Sequence, residues 1–175
     1  MTIMKKHNFY KCIVFFLFIL PGSLNGCSAN RPTHTLPVLR KKALVLTLPS
    51  VKERSFSLQS LRGKRTFVLF FATWCRPCQI LFNRLLRAQA FFEKDKPEIV
   101  AISVDQDPRF LNVFAETLNL PFPVLHGTPE ALDSAGIGKI KSVPTLLLID
   151  KKGFPRAFLS HLISTRELVE LIKRL

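Results

Sequence analysis

One short stretch of the chain combines residue types that suit redox chemistry, Trp74-Cys75-Arg76-Pro77-Cys78. It lies between the apolar run 67–71 and a segment with helical periodicity that begins near Gln79. Backbone N–H groups at the start of a helix lack intrahelical partners, and the helix dipole adds partial positive charge there. A thiolate at that position is stabilised, so its pKa falls from about 8.5 to about 7 or lower. The second cysteine lies one turn along and can close a disulfide with the first. The stretch therefore predicts a thiol–disulfide redox site.

Two other kinds of site use the same cysteine spacing. A zinc site needs two further ligands, and the histidines that could supply them, His34, His126 and His161, do not have ligand-like spacing. An inert structural disulfide is the second alternative. Trp74 before the pair and Pro77 before the second cysteine favour the redox interpretation over both.

A second candidate element is Val143-Pro144-Thr145, at the start of an apolar run. An X-Pro bond at a strand start can be cis, with the proline fixed and the preceding backbone open to pair with an incoming peptide. A strand that merely begins with proline explains the same three residues equally well.

The first 26 residues have the pattern of an export signal. Three lysines precede the apolar run 12–20, and Pro21-Gly22-Ser23 interrupts that run well before the roughly 20 residues that span a bilayer. The following Leu24-Asn25-Gly26-Cys27 resembles the lipobox of bacterial lipoproteins, which implies a lipidated N-terminus at Cys27. Ordinary signal-peptidase cleavage, with Cys27 left free, is the alternative.

Cysteine usage and charge agree with an exported protein. If Cys12 leaves with the signal and Cys27 carries lipid, only Cys75 and Cys78 remain as thiols in an oxidising compartment. The formal net charge is +14, and the basic cluster 40–42 could hold the domain near anionic headgroups. Export removes the chain from nucleic acid, which excludes nucleic acid as a partner.

The remaining pattern predicts one domain over 43–175, after a lipidated N-terminus and flexible tether over 27–42. Expected strands are 44–48 and 55–58, forming a hairpin, then 66–71, 98–104, 122–125, 142–150 and 154–160. Expected helices run from about 79 to 94, from about 109 with an apolar side of Phe110, Val113, Phe114 and Leu118, over 129–135, and from a capping Ser164 to the end. This order predicts an α/β fold with a central mixed β-sheet flanked by helices.

Together these motifs resemble a known family. Trp-Cys-x-Pro-Cys after an apolar strand, followed later by Val-Pro-Thr, resembles the thioredoxin superfamily, and segments 56–64, 70–75 and 144–153 resemble its TlpA/ResA branch of extracytoplasmic, membrane-tethered thiol–disulfide oxidoreductases. The resemblance implies a thioredoxin fold with an N-terminal β-hairpin and a strand–helix insertion. It also implies that Cys75 attacks, that Cys78 resolves, that Pro144 is cis and faces the pair, and that Val143 and Thr145 contact substrate.

The resemblance implies a function at the periplasmic side of a bacterial cell envelope, without a cofactor. The partners would be exported cysteine-containing proteins, such as apocytochrome c or misoxidised proteins, and a membrane thiol electron donor if the protein is a reductase. The Trp-Cys-x-Pro-Cys stretch resembles that of the reductants in this fold. Arg76, in contrast, should favour the thiolate of Cys75 and make the site more oxidising.

Two other functions remain as alternatives for a chain with these residues. A copper or haem-assembly chaperone would use the thiols as metal ligands, with His126 or His161 as a third ligand. A thiol peroxidase would need a Thr or Ser and an Arg around a single reactive cysteine, which the Trp-Cys-x-Pro-Cys stretch does not provide.

The chain departs from the family at two positions. The branch often has a Glu three residues after the second cysteine, and thioredoxins have a buried Asp six residues before the first; here these positions are Leu81 and Leu69. Such an acid accepts the proton of the resolving thiol. Water, or a carboxylate such as Asp105 or Asp107, would have to take its place.

Overall fold

The computed structural model describes residues 42–175. The expected export signal, the lipidation site Cys27 and nearly all of the tether lie outside the described residues. Within the part that is described, no helix is both long enough and apolar enough to cross a membrane.

Five strands form the central sheet, in the order β5-β4-β3-β6-β7. Strand β3 is parallel to β4 and antiparallel to β6, while β4 and β5 are parallel and β6 and β7 antiparallel. The strands of this sheet are β3 (Thr66–Phe71), β4 (Glu98–Ser103), β5 (Val124–His126), β6 (Thr145–Ile149) and β7 (Pro155–Leu159). The mixed sheet expected from the sequence is confirmed, and β5 is its edge strand beside β4.

The central strand β3 is buried along its whole length. Because side chains alternate across a strand, Phe67, Leu69 and Phe71 pack into one apolar cluster and Val68 and Phe70 into another on the opposite face. A strand with both faces covered is a continuous apolar run, which is the pattern that 66–71 shows.

Four helices cover the sheet: α1 (Arg76–Ala90), α2 (Arg109–Thr117), α3 (Pro129–Ser134) and α4 (Thr165–Lys173). Helix α1 begins three residues before the expected Gln79, because Cys75 caps it and Pro77 fits its first turn. It ends at Ala90, earlier than expected. Ser164 caps α4 by accepting a hydrogen bond from the backbone N–H of Glu167, as expected.

The apolar side expected for α2 is wrong. Phe110 and Val113 are 65% and 64% exposed, whereas Leu111 and Ala115 are buried. Two apolar stripes overlap on this helix, and the stripe that contains Leu111 and Ala115 is the one that packs into the core. Phe114 belongs to both stripes and packs against the ring of Phe71, with centroids 5.4 Å apart.

The strands expected at 44–48, 55–58, 122–125 and 142–150 are shorter or shifted. In the hairpin, only β1 (Thr47–Leu48) and β2 (Phe56–Ser57) pair, and a 3-10 helix over Leu58–Leu61 follows. Strand β5 begins two residues later and ends one residue later than expected, since Pro123 has no N–H to contribute and Phe122 packs against Phe82 instead. Strand β6 begins only at Thr145, after the Val143–Pro144 bond.

Two distant turns are joined by Arg62, whose guanidinium donates to the carbonyls of Lys152 and Leu44. The Gly63 N–H donates to the Lys151 carbonyl at 2.8 Å. Gly153 has a φ of +82°, and a Cβ there would collide with the Arg62 side chain. The Arg62-Gly63 and Lys152-Gly153 segments therefore form one unit that holds the β1–β2 layer against the sheet.

We expect Asp150→Asn to lower the free energy of unfolding by about 2 kcal/mol at pH 7. Asp150 is 6% exposed, and its carboxylate accepts hydrogen bonds from the Phe154 N–H at 2.9 Å and Arg156 Nε at 2.7 Å. Burial raises the pKa of Asp150, but these hydrogen bonds outweigh it and hold the pKa below the ordinary 3.8.

Because the pKa is depressed in the folded state, this stabilisation is present above pH 3.8 and is lost as the pH falls through the folded-state pKa. Urea denaturation of both proteins between pH 7 and pH 3 measures the difference. A gap between the two proteins that stays constant down to pH 3 would contradict the assignment.

Candidate active site

The two cysteines lie where the central strand passes into α1. Cys75 is the residue that caps this helix, with extended backbone (φ −85°, ψ 95°), and its N–H donates to the Ala72 carbonyl at 3.0 Å. The backbone N–H of Cys78 donates to Cys75 Sγ at 3.2 Å. This N–H at the helix start also donates to the Cys75 carbonyl at 3.1 Å, so it is shared between that oxygen and the sulfur of Cys75.

Cys75 and Cys78 form a disulfide, with their Cα atoms 5.3 Å apart. Cys78 is fully buried, while Cys75 is 4% exposed. The neighbouring Trp74 is 75% exposed, and Arg76 and Pro77 are exposed as well. A substrate sulfur can therefore reach the pair at Cys75, beside an exposed aromatic ring.

The electrostatics at this helix start favour a thiolate. The first turn of α1 contains no acidic residue, and Arg76 adds a cation next to Cys75. The helix dipole acts in the same direction and falls off within a turn, so it stabilises charge on Cys75 more than charge further along α1. On reduction, Cys75 is the sulfur whose anion these groups stabilise.

The Val143–Pro144 bond is cis, as the resemblance implied. Thr145 pairs with Phe70 near the end of β3, so Pro144 and the cysteines lie at the same edge of the sheet. Val143 packs against the apolar cluster that contains both cysteines. Thr145 is buried and its hydroxyl donates to the Ser142 carbonyl at 2.7 Å, so its side chain is already occupied.

The two positions where the family has acids are apolar and fully buried. Leu69 and Leu81 are both 0% exposed and belong to the same cluster as Cys78. A carboxylate near the resolving thiol therefore cannot come from either position.

Of the two carboxylates considered as substitutes, Asp105 contacts the loop before Cys75. Its Oδ2 accepts from the Thr73 N–H at 2.9 Å and the Ser103 hydroxyl at 2.6 Å, and its Oδ1 accepts from the Thr73 hydroxyl at 3.2 Å. Asp107 is bound by Arg109 instead, and hydrogen bonds from Arg109 lower its pKa. Asp105 thus fixes the cysteine loop to the end of β4.

The histidines do not assemble a metal site in the described part of the chain. His126 Nε2 lies 2.9 Å from the Asp105 carbonyl, so this nitrogen donates a hydrogen bond, and His34 lies outside the described residues. His161 is exposed after β7. Within residues 42–175, no three side chains of His, Cys, Asp or Glu come together to hold a metal ion. The metal-chaperone alternative gains no third ligand from these residues.

A family model described as the AhpC/TSA family matches residues 39–157. The chain belongs to this family. It is similar to the thiol–disulfide oxidoreductase ResA of Geobacillus thermodenitrificans, with 33% identity over 61% of this chain and 60% of the relative. It is also similar to the thioredoxin-like protein YneN of Bacillus subtilis, with 31% identity over 61% of this chain and 62% of the relative. The chain thus spans less than two thirds of the length of these curated relatives.

Two solved structures share the fold of the described residues. A thiol:disulfide interchange protein of the thioredoxin family from Chlorobium tepidum is 27% identical, with a TM-score of 0.65 over 75% of this chain and 93% of that one. A DsbF homologue from Corynebacterium diphtheriae is 21% identical, with a TM-score of 0.66 over 76% of this chain and 85% of that one. The described domain of this AhpC/TSA family member has the thioredoxin fold.

Sequence reasoning proposed Asp105 but did not find its partners. Thr73 and Ser103 carry no motif, and the contact joins residues 32 positions apart in the chain. His126 was weighed as a metal ligand, whereas the structure places its ring on the Asp105 backbone. The one available signal was topological: residues that directly follow β3, β4 and β5 meet at one edge of a parallel sheet.

We expect Asp105→Ala to lower the free energy of unfolding by about 2 kcal/mol, because the buried Ser103 hydroxyl and the Thr73 N–H lose their acceptor. Asp107→Ala is the matched control, since it removes a carboxylate two residues away that is bound by the exposed Arg109. Urea denaturation midpoints of the oxidised proteins measure both changes. Equal midpoints for the two variants would show that the Asp105 contacts do not hold the cysteine loop.

Proposed function

We propose that this protein is a thiol–disulfide oxidoreductase that reduces disulfides of exported proteins through Cys75 and Cys78. The observation that carries the proposal is the Cys75–Cys78 disulfide at the start of α1, with the Cys78 N–H directed at Cys75 Sγ. The names of the curated relatives, thiol–disulfide oxidoreductase and thioredoxin-like protein, support the same activity.

The reaction moves two electrons and exchanges sulfur–sulfur bonds. In the reduced protein, the Cys75 thiolate attacks one sulfur of a substrate disulfide. That bond breaks, the departing substrate sulfur leaves as a thiolate that takes a proton from water, and Cys75 is joined to the substrate. Cys78 then loses its proton, attacks Cys75 Sγ and releases the second substrate thiolate. The Cys75–Cys78 disulfide forms, and a membrane dithiol donor restores the reduced pair.

The roles of the two cysteines follow from their positions. Cys75 is the sulfur with some exposure and with the helix-start donor, which suits the attacking thiolate. Cys78 is fully buried one turn along and is bonded to Cys75, which suits intramolecular resolution. Its proton goes to water in this proposal, since Leu69 and Leu81 replace the acids of the family. Asp105 acts as a positioning residue through Thr73.

The remaining site residues would hold the substrate. Val143 and the cis-bonded Pro144 lie at the sheet edge beside the cysteines, where the backbone before Pro144 can pair with an extended peptide. Thr145 contributes only through its backbone and its contact with Ser142. Trp74 offers an exposed aromatic surface, and Pro77 starts the helix.

The tether is part of the proposal. Residues 1–26 would direct export and be removed, Cys27 would carry lipid, and residues 28–42 would connect the anchor to the domain at the periplasmic side of the cell envelope. Several proteins with this fold are described as secreted or as an exposed lipoprotein, among them the lipoprotein thioredoxin Etrx1 of Streptococcus pneumoniae. Tethering at the membrane would place the pair beside a membrane electron donor, with exported cysteine proteins such as apocytochrome c as substrates.

We expect Cys78→Ser to accumulate a mixed disulfide with substrate at Cys75, because the resolving sulfur is missing. Cys75→Ser should form no such adduct, since the remaining Cys78 is fully buried. Each reduced variant is incubated with an oxidised cysteine-containing peptide, and mass spectrometry locates the adduct. Adducts at Cys78 of Cys75→Ser, formed as fast as those at Cys75, would contradict the assigned roles.

We expect the reduction potential of the pair to lie below about −230 mV, the range of reductants in this fold. Arg76→Ala should lower it further, because a cation stabilises the thiolate of the reduced form. An exposed charge contributes at most about 1 kcal/mol, which corresponds to about 20 mV for two electrons. Equilibration in defined dithiol/disulfide mixtures, followed by Trp74 fluorescence, measures both values.

Arg87→Ala is the matched control, since Arg87 is exposed in the last turn of the same helix and should leave the potential unchanged. A wild-type value above about −150 mV would contradict the reductase direction and indicate an oxidase. The same shift in both variants would show that the effect of Arg76 is not local.

A further inference from the structure

We propose that the redox site selects substrates in which acidic residues flank the target cysteine, through a basic rim formed by Arg76, Lys139 and Lys141. This inference rests on the proposed oxidoreductase function and names its substrate class. The rim side chains are exposed, and no carboxylate lies within salt-bridge distance of any of them among the residues the structure describes.

The topology brings the three cations to one edge of the sheet. Arg76 lies between the two cysteines, five residues beyond the end of β3 at Phe71. Lys139 and Lys141 lie in the loop that leads through Val143–Pro144 into β6, whose first residue pairs with Phe70 of β3. The cysteine loop and the lysine loop are therefore neighbours on either side of the place where substrate reacts.

The lysine loop is held so that its charges face solvent. Ile140, between the two lysines, is half-buried and packs against the apolar cluster on one face of the sheet. Val143 packs against the other cluster, beside the cysteines. Ile140 and Val143 thus anchor the loop, and Lys139 and Lys141, on either side of Ile140, remain exposed.

The exposed acids at the same edge are fewer than the exposed rim cations. Asp105 is half-buried and accepts hydrogen bonds from Thr73 and Ser103, while Asp107 is balanced by Arg109. Glu130 and Asp133 of α3 are exposed, and the end of α3 lies beside the start of the lysine loop, since the Gly138 N–H donates to the Leu132 carbonyl at 3.3 Å. An approaching acidic peptide therefore meets the three exposed rim cations against these two exposed acids.

Rates with charged peptides test the proposal. Three peptides share one central cysteine, capped as a disulfide with neutral 2-mercaptoethanol, and differ in four flanking residues that are acidic, neutral or basic. Cys75 attacks the peptide sulfur, the cap leaves as a thiolate and is protonated by water, and Cys78 then releases the peptide thiolate. Trp74 fluorescence follows oxidation of the reduced full-length protein in a zwitterionic detergent.

At low salt, we expect the acidic peptide to react about tenfold faster than the basic one, as electrostatic steering predicts. At about 0.5 M salt the rates should converge to within about twofold, because the screening length shrinks to a few ångströms. In Lys139→Ser/Lys141→Ser the low-salt ratio should fall to about threefold, the part that Arg76 retains.

Lys94→Ser/Lys96→Ser is the matched control. These exposed lysines have the same spacing but lie before β4, whose first residue pairs with Thr66 at the opposite edge of the sheet. The control should keep the wild-type ratio. Equal rates for acidic and basic peptides, or an equal loss in both double variants, overturns the proposal while leaving the oxidoreductase function intact. Failure of all three peptides to react would overturn the proposed function itself.

Discussion

The site depends on one interaction, the capping of α1 by Cys75. Strand β3 is buried on both faces, and a shift of one residue would exchange its side chains between the two apolar clusters, so its end is fixed. The turn over Ala72–Trp74 then places Cys75 where the Cys78 N–H meets its sulfur at 3.2 Å. The same backbone geometry that begins the helix brings the two sulfurs together. Any change that moved the start of α1 by one residue would separate the sulfurs and remove the donor from Cys75.

The apolar residues that pack against the cysteines and the polar residues that hold the cysteine loop lie in different places. The cysteines belong to an apolar cluster that includes Leu69 and Leu81, the two positions where the family resemblance implies acids that would assist the resolving thiol. Polar support comes from the side, where the Asp105 carboxylate joins Thr73 to Ser103. The Asp105 carboxylate accepts two hydrogen bonds from Thr73, one of them from its backbone N–H, and a third from Ser103, so the loop can stay in place when the disulfide opens. This arrangement stabilises the position of Cys75 and leaves proton transfer at Cys78 to solvent.

The sequence predicts those features whose cause is local. The strand β3, the presence of a helix after it and the cap at Ser164 follow from runs, spacing and single residue types, and the cis bond at Pro144 follows from the family resemblance. Features set by distant partners could not be predicted. The buried face of α2 is set by which of its two apolar stripes packs into the core, and the contacts of Asp105 and Arg62 join segments far apart in the chain. Lys139 and Lys141 carry no motif, and only the pairing of β6 with β3 places their loop beside the cysteines.

Two charge effects at the site differ in what they can control. The helix start and its N–H donor act on Cys75 at short range and are worth up to about 2 kcal/mol where partly buried, so they set the balance between thiol and thiolate. Arg76 is exposed and screened, and its effect on the potential is limited to about 1 kcal/mol. Exposed charges act at longer range on an approaching partner, since their fields add over the surface before contact. Arg76 is therefore better suited to attracting a substrate than to changing the reduction potential of the disulfide. Lys139 and Lys141 act on an approaching substrate in the same way.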